Sequence, residues 1–207
     1  QKGDKFGMID ETGKLVIPLD YEGLRSSLQG GIPAKKDGKW GYINRYNKVI
    51  QPFKYDAAEN FGMTPIAPVK YKGKWGFVNK KWDWAIPPIY EEQKFFIHAP
   101  IKVKKDGFWG VIDASGNVNV PIVYDSIIGI DKYIVTKNDK IGAFRKDGSV
   151  LLEVVYDYAR EVGENLFILC KEGKCAVSDL SNARHANYQY EVVELPRRRM
   201  FRVQKDG

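Results

Sequence analysis

The chain has 207 residues, 43% hydrophobic and 13% aromatic, with a formal net charge of +7, which is enough apolar matter to bury a core in one domain or two. Its two histidines and two cysteines exclude a disulfide-dense scaffold and any dense His/Cys metal cluster. There is no apolar run of about 18 residues and no signal peptide, and the opening at Gln1, inside a motif and without methionine, reads as a processed or excised fragment.

The first predicted element starts at Phe6-Gly7, turns at Gly13 and continues as a strand from Lys14 to Ile17, ending at Pro18 because proline cannot donate to a ladder. Tyr21-Glu22 follows. The second element begins with a strand that reaches Lys36, turns at Asp37-Gly38 and returns through Trp40-Gly41. Asp-Gly is a type I′ hairpin signal, since both central residues need positive φ. That turn predicts a register in which Lys36 faces Lys39, Lys35 faces Trp40, Ala34 faces Gly41 and Ile32 faces Ile43. One face then gathers Ile32, Ala34 and Ile43, and the other Trp40 and Tyr42. A turn at Asn47 and a third strand from Lys48 to Ile50, before Pro52, complete a meander that leads to Tyr55-Asp56.

The third element repeats this order through Lys72-Gly73, Trp75-Gly76, Pro87 and Tyr90-Glu91. The fourth runs through Asp106-Gly107, Trp109-Gly110, Gly116, Pro121 and Tyr124-Asp125, with Ile101 and Val103 meeting Ile112 and Gly110. In the fifth, Tyr133 and Val135 meet Phe144 and Gly142, and Gly148 and Tyr156-Asp157 follow. The sixth carries Glu172-Gly173, Cys175-Ala176, Asn182 and Tyr190-Glu191, and Glu153 and Asn187 stand where the first four have proline.

The anchors Phe6, Trp40, Trp75, Trp109, Ile141 and Cys175 lie 34, 35, 34, 32 and 34 residues apart, each followed fifteen residues later by a tyrosine and then an acid. Self-similarity at this period marks a repeat architecture. The expectation is an all-β fold over 1–207 as a single repeat domain of six tandem three-stranded repeats. A meander apolar on both faces needs neighbours on both, so the sheets stack, either as a propeller-like array or as an open β-superhelix. "FRVQKDG", residues 201–207, is a partial seventh leading strand. Pairing it with Phe6 to Ile9 would seal a ring, and an open series is the alternative.

Residue by residue, Trp40, Trp75 and Trp109 read as core packing between sheets, with Tyr21, Tyr55, Tyr90, Tyr124, Tyr156 and Tyr190 as further structural anchors. The acids after the tyrosines read as turn caps or partners of the lysine before each anchor, because one carboxylate per repeat does not bring two around a substrate. Lysines cluster at the first turns, including Lys36, Lys72 and Lys105. They form either a rim for an anionic partner or a solubilising guard on hairpin edges. Arg197, Arg198 and Arg199 follow Pro196 as a contact point or a solvated linker. Trp82 stands where other repeats have Gly or Asn, so it is expected at an exposed loop tip as a partner hot spot, with a loop folded inward as the alternative. Trp84 occupies a position held elsewhere by Leu15, Val49, Val118 and Val150 and is expected in the core. Cys170 and Cys175 flank Glu172-Gly173 as a directly opposed pair, either disulfide-bonded or as two thiols filling a gap. His98 and His185 have no triad or metal spacing, and no phosphate loop, dinucleotide fingerprint or nucleophile elbow is present. No catalytic residue, metal or cofactor is expected.

"KWGYIN", "KWGFVN" and "FWGVID", followed by "IPP" and by "YE" or "YD", resemble the bacterial WG-repeat family. The resemblance spans the chain, strongly in the first four repeats and weakly in the sixth. It implies a noncatalytic module that binds another protein, an accessory subunit or scaffold of a larger envelope complex in the periplasm or at the bacterial cell surface, with the cytoplasm as the other location. The alternative is a binding module for an anionic glycan or lipid headgroup. No nucleic acid and no membrane span are expected.

Overall fold

The computed structural model describes residues 4–27, 30–61, 64–94, 100–163, 165–180, 189–190, 192–197 and 200–204, with 192–197 and 200–203 as backbone. It divides into two compact units, residues 1–118 and 119–207. Among the described residues every regular element is a β-strand, as the repeat pattern predicts.

In the first unit, β1 (Phe6–Ile9) pairs with β2 (Leu15–Tyr21). The next sheet runs β3 (Gly23–Leu24), β4 (Ile32–Lys36), β5 (Lys39–Ile43), β6 (Val49–Tyr55) in spatial order. It is followed by β7 (Ala57–Ala58), β8 (Ile66–Tyr71), β9 (Lys74–Asn79) and β10 (Trp84–Tyr90), again neighbours in sequence order. Then β11 (Glu92–Lys94), β12 (Ile101–Lys105) and β13 (Phe108–Ile112) pair in turn. The boundary between the units falls within β14 (Val118–Tyr124).

In the second unit, β15 (Ser126–Ile128), β16 (Lys132–Lys137), β17 (Lys140–Arg145) and β18 (Val150–Tyr156) form one antiparallel sheet, and β19 (Tyr158–Gly163), β20 (Leu166–Lys171) and β21 (Lys174–Asp179) another. β22 (Val192–Arg197) pairs with β23 (Met200–Gln204). β23 overlaps the first part of the segment 201–207 read as a partial seventh leading strand, and residues 205–207 lie outside the described residues.

The predicted register holds at each first hairpin: Lys35 faces Trp40 and Ile32 faces Ile43, and the counterparts at β12–β13 and β16–β17 agree. Asp37 (φ 51°) and Gly38 (φ 75°) supply the left-handed pair that a two-residue turn demands. In the fifth repeat the same two positions are Asn138 (φ 49°) and Asp139 (φ 61°), a turn with no glycine to announce it.

Two expectations change. After Tyr21, Tyr55, Tyr90, Tyr124 and Tyr156 the chain leaves its own sheet and pairs with the leading strand of the next, which gives the second to fifth sheets a fourth strand. The backbone N–H of Glu22 donates to Lys35 O at 2.8 Å, that of Asp56 to Lys70 O at 2.8 Å, and that of Asp157 to Cys170 O at 2.9 Å. The third strand also does not stop at proline. It passes through Pro52 as a bulge, so that Tyr42 faces Gln51 while Trp40 faces Tyr55. The bulge accounts for the glycine after the anchor: a Cβ on Gly41 would lie 2.7 Å from Gln51 O and 2.9 Å from Pro52 C. Backbone occupies the space where any side chain would sit.

Within each unit apolar faces meet between successive sheets. Ile17 and Tyr21 pack with Ala34 and Ile43, while Tyr42 and Tyr55 from the other face join Ala67, Val69 and Val78. In the second unit Ala143 and Leu152 pack with Phe167 and Leu169. The two faces of β5 therefore serve two different cores, as the hairpin register requires.

Candidate partner-binding surface

The columns that repeat at fixed phase are engaged in holding sheets together. Phe6 faces Tyr21, Trp40 faces Tyr55, Trp75 faces Tyr90 and Ile141 faces Tyr156, and Cys175 forms an isolated bridge to Tyr190. Tyr21, Tyr55, Tyr90 and Tyr124 are buried, whereas Tyr156 and Tyr190 are half-buried. The tryptophans are not fully in the core as expected: Trp40, Trp75 and Trp109 are half-buried, standing at the hairpin end of each sheet beside lysine stems. The Arg25 guanidinium lies 5.1 Å from the Trp40 ring, and Lys94 Nζ lies 5.1 Å from that of Trp109.

Among the described residues, each acid after a tyrosine caps the first turn of the following repeat. Glu22 Oε2 accepts from Gly38 N at 3.0 Å, Asp56 Oδ2 from Gly73 N at 2.9 Å, Glu91 Oε2 from Gly107 N at 3.1 Å, Asp125 Oδ2 from Asn138 N at 2.8 Å and Asp157 Oδ2 from Glu172 N at 2.7 Å. The lysine before the anchor reaches the same carboxylates: Lys39 to Asp56 at 2.6 Å, Lys74 to Glu91 at 3.4 Å, and Lys140 to Asp157. Hydrogen bonding from Lys39 holds the Asp56 carboxyl below its ordinary value, and Lys140 does the same for Asp157. For Glu91 the chief cause is the Gly107 amide. At Asp56, Glu91 and Asp157 both expected structural roles are therefore filled by the same side chain.

The lysine rim is consequently of mixed sign. Lys39, Lys74 and Lys140 are paired with acids, whereas Lys36, Lys72 and Lys105 are exposed at the first turns. Arg197 ends β22 opposite Met200, and Arg198 and Arg199 lie outside the described residues, as do His98 and His185. Cys170 and Cys175 are joined by a disulfide across the sixth hairpin. The Cys175 amide and carbonyl turn away toward Tyr190, so the cysteines form the non-hydrogen-bonded pair that brings side chains close. The bridge stands where the other anchor positions carry Phe, Trp or Ile.

Trp82 follows the inward alternative, whereas Trp84, expected in the core, is exposed. Trp82 takes the left-handed turn position (φ 70°) used by Gly13, Asn47 and Gly116. Its ring folds inward, with centroids 4.5 Å from Tyr42 and 5.4 Å from Phe61. It fits because Gly31 has no side chain: a Cβ there would lie 3.2 Å from the indole. Trp84 is 40% exposed, and so is its whole column, Leu15 at 49%, Val49 at 46%, Val118 at 57% and Val150 at 46%.

A feature that the sequence reading missed lies at the second turn of the second repeat. Tyr46 is 71% exposed, and the Arg45 guanidinium sits 4.7 Å from its ring. With Asp10, Lys14, Leu15 and Val16 of the first repeat they line an open cleft of about 550 Å3. The available signal was an aromatic at a turn position filled elsewhere by Thr12, Lys81, Ser115 and Asp147.

Comparison with known proteins gives the family described as WG containing repeat, matching residues 6–40, 40–75, 75–107, 109–140 and 141–175. No curated protein matches the chain. Two solved structures are similar to parts of it. One is the computationally designed Ika8 protein (crystal packing No. 1 in P63), at 10% identity and a TM-score of 0.39, covering 90% of this chain and 70% of that one. The other is KlHsv2 with loop 6CD replaced by a Gly-Ser linker, at 13% identity and a TM-score of 0.31, covering 64% of this chain and 52% of that one.

Proposed function

The chain belongs to the WG containing repeat family, and from that premise we propose that it is a noncatalytic protein-interaction and scaffold module, an accessory subunit of a bacterial cell-envelope assembly. One observation carries the reading: the strand position nine residues after each of the first five anchors is apolar in every case and faces solvent in every case. A core position would be buried and a purely solubilising one polar; a recurring exposed apolar position suits contact with another chain. The carboxylates nearest to acid-base chemistry are occupied with turn amides and lysines, which supports a structural role for them. The Cys170–Cys175 bridge supports an oxidising location, the periplasm or cell surface.

Recovering the protein with its partner from the native source, then repeating the binding with Val49→Lys and Trp84→Lys, tests the proposal. Binding reduced about tenfold or more by either substitution in a chain that still folds supports it, and unchanged binding by both contradicts it. Exposed Lys36, Lys72 and Lys105 favour a second reading, an anionic glycan or lipid headgroup. On that reading affinity falls steeply with salt and is indifferent to the apolar column.

A further inference from the structure

We infer that the cleft between the first and second repeats is a docking site for an acidic, extended peptide segment that carries one aromatic or aliphatic side chain. The inference rests on the interaction-module reading and gives it a place and a partner chemistry. All six lining residues, Asp10, Lys14, Leu15, Val16, Arg45 and Tyr46, lie within the first unit.

Packing does not explain Tyr46. It is the most exposed of the large hydrophobic side chains among the described residues, and the same turn elsewhere is built with small or polar side chains. The tip that carries it is fixed before any partner arrives. Asn44 Oδ1 accepts from Tyr46 N at 2.9 Å and Lys48 N at 3.0 Å, Asn47 turns the chain in the left-handed region, and Asn47 Oδ1 accepts from Tyr21 Oη at 2.7 Å. The first hairpin is held alike, with Asp10 Oδ1 accepting from Thr12 N at 2.9 Å and Lys14 N at 3.0 Å. A rigid platform loses little freedom on binding, and Tyr and Arg are the residue types that dominate binding energy at interfaces.

Charge selects the occupant. Asp10 is the one acid lining the cleft, and its Oδ1 accepts from the Thr12 hydroxyl as well as from both amides. Its charge is met by donors from its own turn. Lys14 and Arg45 are left as cations beside an apolar floor of Leu15 (49% exposed) and Val16 (40% exposed). The complement is a chain with carboxylates flanking one apolar side chain, which inserts beside Tyr46.

The test uses the whole chain, labelled with 15N, and three capped pentapeptides: Asp-Glu-Phe-Glu-Asp, Ser-Ser-Phe-Ser-Ser and Lys-Lys-Phe-Lys-Lys. The acidic peptide is expected to shift resonances confined to residues 10–16 and 44–48. Its affinity should drop about tenfold or more in Tyr46→Ser, which keeps the turn residue found at Ser115, and should weaken with added salt. Equal shifts from the lysine peptide, or an unaltered affinity in Tyr46→Ser, overturn the assignment. Shifts centred on Lys36, Lys72 and Lys105 instead remove the cleft while leaving a binding module. Silence with all three peptides also overturns the cleft, and partner recovery with the Val49 and Trp84 substitutions then decides the broader reading by itself.

Discussion

Two adjacent second turns place aromatic residues in opposite surroundings. In the 79–83 turn, Asn79 Oδ1 accepts from Lys81 N and Asp83 N, and Trp82 folds onto Tyr42 and Phe61. In the 44–48 turn, Asn44 makes the same two bonds, and Tyr46 stands 71% exposed. The backbone is the same, but the phase differs by one residue. Trp82 occupies the left-handed position, aimed at the preceding sheet where Gly31 leaves room, and Tyr46 occupies the position before it, aimed outward. Residue type did not decide burial; place within the turn did.

The largest expected effect breaks the inward case. Trp82→Gly removes the ring from a cluster that includes Tyr42, Phe61 and Val69, partly offset by relief of a left-handed backbone. Denaturant unfolding should show a loss of about 2 kcal/mol, and an unchanged midpoint would mean that the indole is not packed. Next comes a contrast with the first turns, which are capped from the preceding repeat. Asp56→Ala removes the cap on Gly73 and the partner of Lys39 and should cost about 1 kcal/mol without altering binding at the cleft.

Acid should act on the capped turns together. Asp56, Glu91 and Asp157 are held below their ordinary carboxylate values, so in acid the unfolded chain binds more protons than the folded one. Their contribution is complete above the unfolded values and is lost as pH falls through the lower folded ones. Thermal midpoints should hold from neutral pH to about 5 and fall below it, less steeply in Asp56→Ala. A midpoint that rises on acidification contradicts this linkage. The smallest effect sharpens the outward case: Tyr46→Ser should change stability by less than about 0.5 kcal/mol.

Much of the fold was legible in the sequence because Asp-Gly at a two-residue turn fixes which residues face each other, and a fixed period carries that register from one repeat to the next. The short strands Gly23–Leu24 and Ala57–Ala58 were not legible, since two residues carry no alternation. Nor was the bulge at Pro52, where proline reads as an end although the chain continues past it. Trp84 misled because an apolar residue repeated on a strand suggests a core, and the column turned out to face water. Arg45-Tyr46 went unnoticed because a polar turn hides one aromatic.

Amide exchange, read residue by residue across the first turns, tests most directly whether each acid ties its repeat to the next. Gly38, Gly73, Gly107, Asn138 and Glu172 sit at exposed hairpin tips and have carboxylate acceptors. After correction for intrinsic rates, their amides should be protected at neutral pH, and those of Gly73, Gly107 and Glu172 should lose that protection as Asp56, Glu91 and Asp157 protonate. Exchange at the unprotected rate at neutral pH would contradict the account.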